Sequence, residues 1–176
     1  MRLALAVALA SAGIAHADPK QAGIDATATM PLSPWKRDTG IGGGGSLWLH
    51  IDVSPLVEVT ARVGAIVHAS RGVDGLPDAS QRLSEVPLLG GARYRLTDGL
   101  VRGYLEGEVG LIFARTDLEV AGTRDQTSPI RLGSSLGACL EVDRFDLRLA
   151  VWFADLSDLD HAIGVTLSIG GRVVSW

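Results

Sequence analysis

From Ser46 to the end of the chain, apolar and polar positions alternate with a period of two rather than 3.6. That period marks half-buried strands and not helices. Leu47, Leu49, Ile51 and Val53 alternate with Ser46, Trp48, His50 and Asp52. The same alternation runs through Val57–Val67, Val86–Leu96, Val101–Phe113, Ile130–Leu140, Phe145–Phe153 and Ile163–Ile169, which predicts seven strands. Ser54-Pro55, Thr97-Asp98-Gly99 and Asp143-Arg144 are short connections. Residues 70–84, 117–128 and 155–161 are longer polar loops. Gly170-Gly171 offers a register shift before Arg172 to Trp176.

Short turns at one end and longer loops at the other describe an up-and-down barrel. The first clear strand precedes a short turn, so it starts at the long-loop end and requires a strand before it. Ala26 to Pro34 is the candidate, with Trp35 to Gly45 as its long loop. Its two prolines fit near strand ends. Pairing around Asp98 sets Arg95 near Val101 and Arg93 near Gly103. The expected fold is all-β, an antiparallel up-and-down transmembrane β-barrel of eight strands.

The polar face decides which side of such a wall meets water. In a soluble barrel the polar face is solvated; in a membrane barrel it fills the lumen and the apolar face meets lipid. Here it carries Asp52, Glu58, Arg62, Arg93, Arg95, Arg102, Glu106, Glu108, Arg131, Glu141, Asp146 and Arg148, an expected lumen charge network. Lysine is nearly absent from the chain, and Lys20 and Lys36 lie outside the clear strands. Arginine forms bidentate pairs and suits confined ion pairs. Trp48, Trp152, Gly64, Gly91, Gly110, Gly133 and Gly137 share that face, mixing bulky and tiny residues as a narrow lumen requires. Tyr94, Phe113, Phe145, Phe153 and Trp176 supply a sparse interfacial girdle.

The N-terminus changes the compartment. Arg2, the apolar run Leu3–Ala10 and Ala15-His16-Ala17 form a cleavable export signal, so residues 1–17 are read as a leader. Residues 18–25 are then a short N-terminal segment and 26–176 the barrel domain. Removing 17 of the 176 residues leaves 159, enough for one domain. With 47 % hydrophobic and 20 % charged residues the chain is not a charge-rich disordered protein. Its lone cysteine, Cys139, excludes an internal disulfide and is expected to be a small inward-facing residue. No apolar run is long enough for a membrane-spanning helix. The net charge of −4 argues against a nucleic-acid partner.

The leader, the alternating strands, the hairpin SEVPLLGGARYRLTDGLVRGYLEGEVGLIF (Ser84 to Phe113) and the aromatic last residue resemble small bacterial outer-membrane β-barrels of the OmpA and OmpW type. The resemblance covers roughly residues 26–176. It implies residence in the outer membrane, contact with outer-membrane lipid, and a monomer. It also implies that Trp176 is the signal read by the barrel-insertion machinery, where phenylalanine is the usual residue.

Several polar groupings imitate catalytic or metal-binding sets. His50 and Asp52 share a face, and with Ser46 or Thr60 they imitate a hydrolase dyad. Barrel enzymes acting on lipid place such groups on the outer rim, whereas His50 points inward, so a hydrogen-bonded lumen is the favoured reading. Glu106 and Glu108 share a face as glycosidase acids do, but arginines stand close by. Asp155, Asp158 and Asp160 lie in one loop without the spacing of a calcium-binding loop. His68, at a strand end, is expected to be solvated. No catalytic, metal or cofactor site is expected.

Function is then expected in a plugged barrel with a structural, anchoring or surface-interaction role rather than an open pore. Two alternatives remain: an exported lipocalin-like barrel binding a small apolar ligand, which requires Arg93, Arg95 and Glu106 to face water, and a lipid-modifying barrel enzyme.

Overall fold

A computed structural model describes residues 20–32, 34–37, 39–73, 76–159 and 162–176. The expected leader and Asp160 lie outside these residues. Ten strands follow in chain order: β1 (Lys20–Pro31), β2 (Gly42–Asp52), β3 (Val57–His68), β4 (Arg71–Val73), β5 (Leu76–Arg95), β6 (Val101–Val120), β7 (Thr123–Thr127), β8 (Ile130–Val142), β9 (Phe145–Phe153) and β10 (Ile163–Ser175). All pairings are antiparallel. The circuit β1-β2-β3-β5-β6-β8-β9-β10 closes by β10 pairing with β1, giving an eight-stranded barrel. Closure leaves no open edge in the wall.

The wall is apolar outside and polar inside. Leu47, Leu88, Leu105, Val109, Leu136 and Leu149 are exposed outward. Their strand neighbours Trp48, Leu89, Glu106, Glu108, Ser135 and Arg148 are buried inward. Alternation along each strand produces this division. Connections of four to five residues or fewer join β2 to β3, β5 to β6 and β8 to β9 at one end, where β1 begins and β10 finishes. The other six connections lie at the opposite end.

Several boundaries differ from the sequence expectation. β1 starts at Lys20, so most of the expected N-terminal segment 18–25 is wall. Its period-two pattern persists back to Gln21, with Gln21, Asp25 and Thr29 buried inward and Ile24 and Met30 exposed outward. β2 starts at Gly42, because the four glycines expected in a loop pair with Thr29–Ala26 of β1 and His68–Ala65 of β3. Residues 70–84 and 117–128 are largely strand. β5 and β6 run 20 residues each and extend past the rim, and β4 and β7 pair along their flanks. Backbone pairing holds these polar segments where no apolar pattern announces them. The β6–β7 turn is Ala121-Gly122, both at positive φ (49° and 80°). Such a turn matches the twist of a two-residue hairpin.

The β5–β6 register is also corrected. Arg95 stands opposite Tyr104, and Arg93 opposite Glu106. The expected register placed an inward arginine across from an outward valine, which side-chain alternation forbids. The connection is a wider loop in which Leu96 N donates to Gly103 O at 2.7 Å and Gly103 N donates to Thr97 Oγ1 at 2.8 Å. The expected shift near Gly170-Gly171 falls at Val173: Gly23 faces Arg172 and Ala22 faces Val174, leaving Val173 as a bulge.

Candidate functional site in the barrel lumen

The inward side chains stand in three tiers along the barrel axis. Nearest the short turns, Glu58 of β3 accepts from Arg93 Nε at 2.5 Å and from Arg95 at 3.0 Å, while Glu141 of β8 pairs with Arg102 at 3.2 Å and Arg93 at 3.5 Å. Arg172 of β10 lies 3.8 Å from Glu141. The Arg93 guanidinium sits 4.1 Å above the Tyr104 ring, a cation–π contact. Asp52 and Asp146 stand opposite Glu58 and Glu141 and form no ion pair among the described residues.

The middle tier crosses the barrel. Arg62 of β3 pairs with Asp25 of β1 and with Glu106 and Glu108 of β6, at 3.6 and 3.2 Å for the glutamates. Arg148 of β9 reaches Glu106 at 2.5 Å, Glu108 at 3.1 Å and Ser135 Oγ at 2.5 Å. Trp48 Nε1 donates to Asp25 at 2.8 Å and Thr60 Oγ1 donates to Glu108 at 3.4 Å. Gly23 lies beneath the Trp48 indole, where a Cβ would run into the ring. In the barrel circuit β1, β3, β6 and β9 are every second strand. Acid, base, acid and base therefore alternate around the circumference.

The third tier, toward the long loops, is apolar: Trp35, Leu83, Leu89, Ile112, Ala114, Trp152, Ala154 and Ala162 form one buried cluster. Trp35 arrives from the β1–β2 loop and packs into the mouth. His68, fully buried rather than solvated, donates through Nδ1 to the Gly40 carbonyl at 2.9 Å and faces the Glu85 carboxylate with Nε2 at 3.1 Å. Its ring lies 5.7 Å from that of Trp35. The small void bounded by Arg62, Arg148, Leu89 and Trp152 measures about 30 Å³, room for water-sized occupants only.

Arg131 is apart from the others: it lies at the long-loop rim, 3.7 Å from Asp155. Partial burial opposes ionisation of Asp155, but donors from Ser157 N (2.9 Å) and Oγ (2.6 Å) hold its carboxyl below the usual range. Asp25 and Trp35 are not marked by the strand pattern expected from the sequence, whereas the alternation of β5 does place Glu85 on the inward face. The continued alternation of β1 was the available signal for Asp25; nothing local marks Trp35 as a buried residue.

The suggested dyad is not assembled. His50 stacks on Trp48 at 4.2 Å, Ser46 Oγ lies between Arg62 and Asp25, and Thr60 is committed to Glu108. Cys139 faces inward and is buried. Arg93 and Glu106 are each 2 % exposed, so the soluble lipocalin-like arrangement, which needed them in water, does not hold.

Comparison with solved structures decides the architecture. Ail, the attachment invasion locus protein of Yersinia pestis, matches with a TM-score of 0.61 at 14 % identity, over 90 % of this chain and 98 % of Ail. Neisserial surface protein A matches with a TM-score of 0.51 at 16 % identity, over 89 % of this chain and 97 % of that one. The fold is that of an eight-stranded outer-membrane β-barrel. No family model and no curated protein matches the chain. In a barrel of this type the exposed leucines and valines are the lipid-facing wall, and the ion pairs lie within it.

Proposed function

We propose that the protein is a monomeric bacterial outer-membrane barrel whose lumen is closed, and whose work lies in envelope structure, anchoring or surface contact through its long-loop end. The observation that carries this reading is the cross-lumen tier: Arg62 and Arg148 meet Glu106 and Glu108 from opposite walls. An eight-stranded barrel has an interior just wide enough for side chains to fill. The Trp35 cluster caps the same lumen on the long-loop side. The exposed aromatic Trp176, whose backbone pairs both ways with Lys20, is the residue we assign to the insertion machinery.

Single-channel recording in planar bilayers tests closure. Protein that shows heat-dependent gel mobility and inserts, yet conducts no steady ion current, supports the reading. A stable ohmic conductance from the wild-type chain overturns it. Recovery of the protein in the water-soluble periplasmic fraction overturns the membrane placement itself.

A further inference from the structure

The projecting sheet carries a polar recess on its outward face. Val86 and Phe113, paired across β5 and β6, and Ile130 beside Phe113 end the continuous run of exposed large apolar side chains on these strands, and Leu76 and Val120 are exposed again only at the far tips of β5 and β6. The next outward positions are Ser84, Arg82 and Ser80 on β5, and Arg115, Asp117 and Glu119 on β6. With about 3.3 Å per residue and strands tilted roughly 40°, these positions stand about 5 to 15 Å above the apolar boundary. Ser70, Ser80, Arg82, Asp117, Glu119 and Arg124 line a cavity of about 220 Å³ there.

The charges in this recess are arranged rather than scattered. Asp117 accepts from Arg115 through Oδ1 at 3.3 Å and pairs with Arg124 through Oδ2 at 3.0 Å. The hydrogen bond from Arg124, and then that from Arg115, hold the Asp117 carboxyl below the usual range, so it stays ionised as their anchor. Arg82 stands directly opposite Asp117 on β5 and forms no ion pair among the described residues. Three guanidiniums face two carboxylates, leaving one positive charge in excess. Guanidinium forks match phosphate oxygens in pairs, and the serine hydroxyls add neutral donors.

We propose that this recess binds the phosphorylated saccharide headgroup of an outer-leaflet lipid. The phosphate lies on Arg82 and Arg124, and neighbouring sugar hydroxyls donate to Asp117 and Glu119. The occupant follows from continuity: the recess opens directly above the lipid-facing wall, at headgroup height. A free anion would meet a site already two-thirds neutralised, whereas a lipid anchored in the bilayer is held there at high local concentration. The inference rests on the outer-membrane reading.

The test uses the full chain folded in phosphatidylcholine nanodiscs, with heat-dependent gel mobility confirming insertion in the same sample. Diphosphoryl lipid A, its dephosphorylated counterpart and inorganic phosphate are titrated and bound lipid is counted by native mass spectrometry. Diphosphoryl lipid A is expected to bind at least tenfold more tightly than the dephosphorylated lipid. Arg82→Glu combined with Arg124→Glu is expected to abolish that preference, while Arg37→Glu, on a different loop, keeps it. Should the double variant fail to insert, Arg82→Gln alone is expected to reduce the preference severalfold. Equal binding of the two lipids, an unchanged preference in an inserted variant, or inorganic phosphate competing as a free ligand at equal concentration overturns the proposal. A wild-type chain that does not insert instead overturns the outer-membrane reading.

Discussion

Arg62 and Arg148 rise from diametrically opposed strands, β3 and β9, and close on the same two carboxylates, Glu106 and Glu108 of β6. Neither arginine is replaceable by a neutral side chain without leaving a glutamate buried and under-compensated. Removing one partner of a buried pair costs about 3–5 kcal/mol. Arg148→Ala is expected to lower folded stability by that order, read as a shift in the urea midpoint for unfolding from lipid vesicles. Arg115→Ala at the exposed rim serves as the comparison and is expected to cost under about 1 kcal/mol. Equal shifts for both would remove the special role of the crossing tier.

The lipid-facing wall predicts a depth dependence. Leu105→Arg or Leu149→Arg places a charge on the outward face of a mid-wall strand. Each is expected to cost about 2–4 kcal/mol and to lower the heat-modifiable fraction recovered from membranes. Leu100→Arg, in the exposed β5–β6 connection, is expected to change neither quantity measurably.

The His68–Gly40 hydrogen bond ties the β1–β2 loop to the wall beside Trp35. His68→Ala is expected to raise the rate of trypsin cleavage after Lys36 and Arg37 in the folded protein. Trp35→Ala is expected to do the same and to cost about 3–5 kcal/mol, as loss of a buried indole does. Cleavage at the wild-type rate in the His68 variant would show that the loop is held by other contacts.

Asp117 sets a pH dependence with a defined sign. Its folded carboxyl titrates below the unfolded value, so its contribution is present above the unfolded range and is lost as pH falls through the folded one. The Arg115–Asp117–Arg124 cluster is therefore expected to survive mild acidification through the ordinary aspartate range. A carboxyl-carbon NMR titration of Asp117 checks this; a midpoint at the ordinary value would contradict it.

Replacing Trp176 separates assembly from stability. Trp176→Ala is expected to slow accumulation of folded barrel in cells while leaving spontaneous refolding in detergent at the wild-type rate. Slowing of both would make Trp176 a structural residue rather than a recognition signal.

Much of this barrel was legible because one alternation carries two facts, the strand and its orientation. Leu105, Glu106, Gly107 and Glu108 show both at once: the apolar positions face out and both glutamates face in. What the alternation does not contain is register. Which arginine meets Glu106 depends on loop width at Leu96–Leu100 and on strand stagger: Arg93 stands directly opposite it on β5, yet Arg148 from β9 makes the ion pair. Arg131 has the right parity but stands too near the rim to join the network. Gly42–Gly45 and Thr123–Thr127 lack any apolar signal and become strand through backbone pairing alone. His68 escaped because burial at the mouth comes from a loop folded inward, a tertiary event with no local signature.

The seam between β1 and β10 joins residues from Gln21–Ser175 to Pro31–Gly164, the longest-range pairing in the molecule. Loop-closure entropy opposes such a contact until the rest of the wall can reward it. A chain halted before β10 is therefore not a smaller barrel. It is a curved sheet with two raw edges, β1 and its last completed strand, each a template for the wrong neighbour. Only the β1–β10 pairing removes both edges at once, so an open edge is what separates an unfinished chain from a finished barrel.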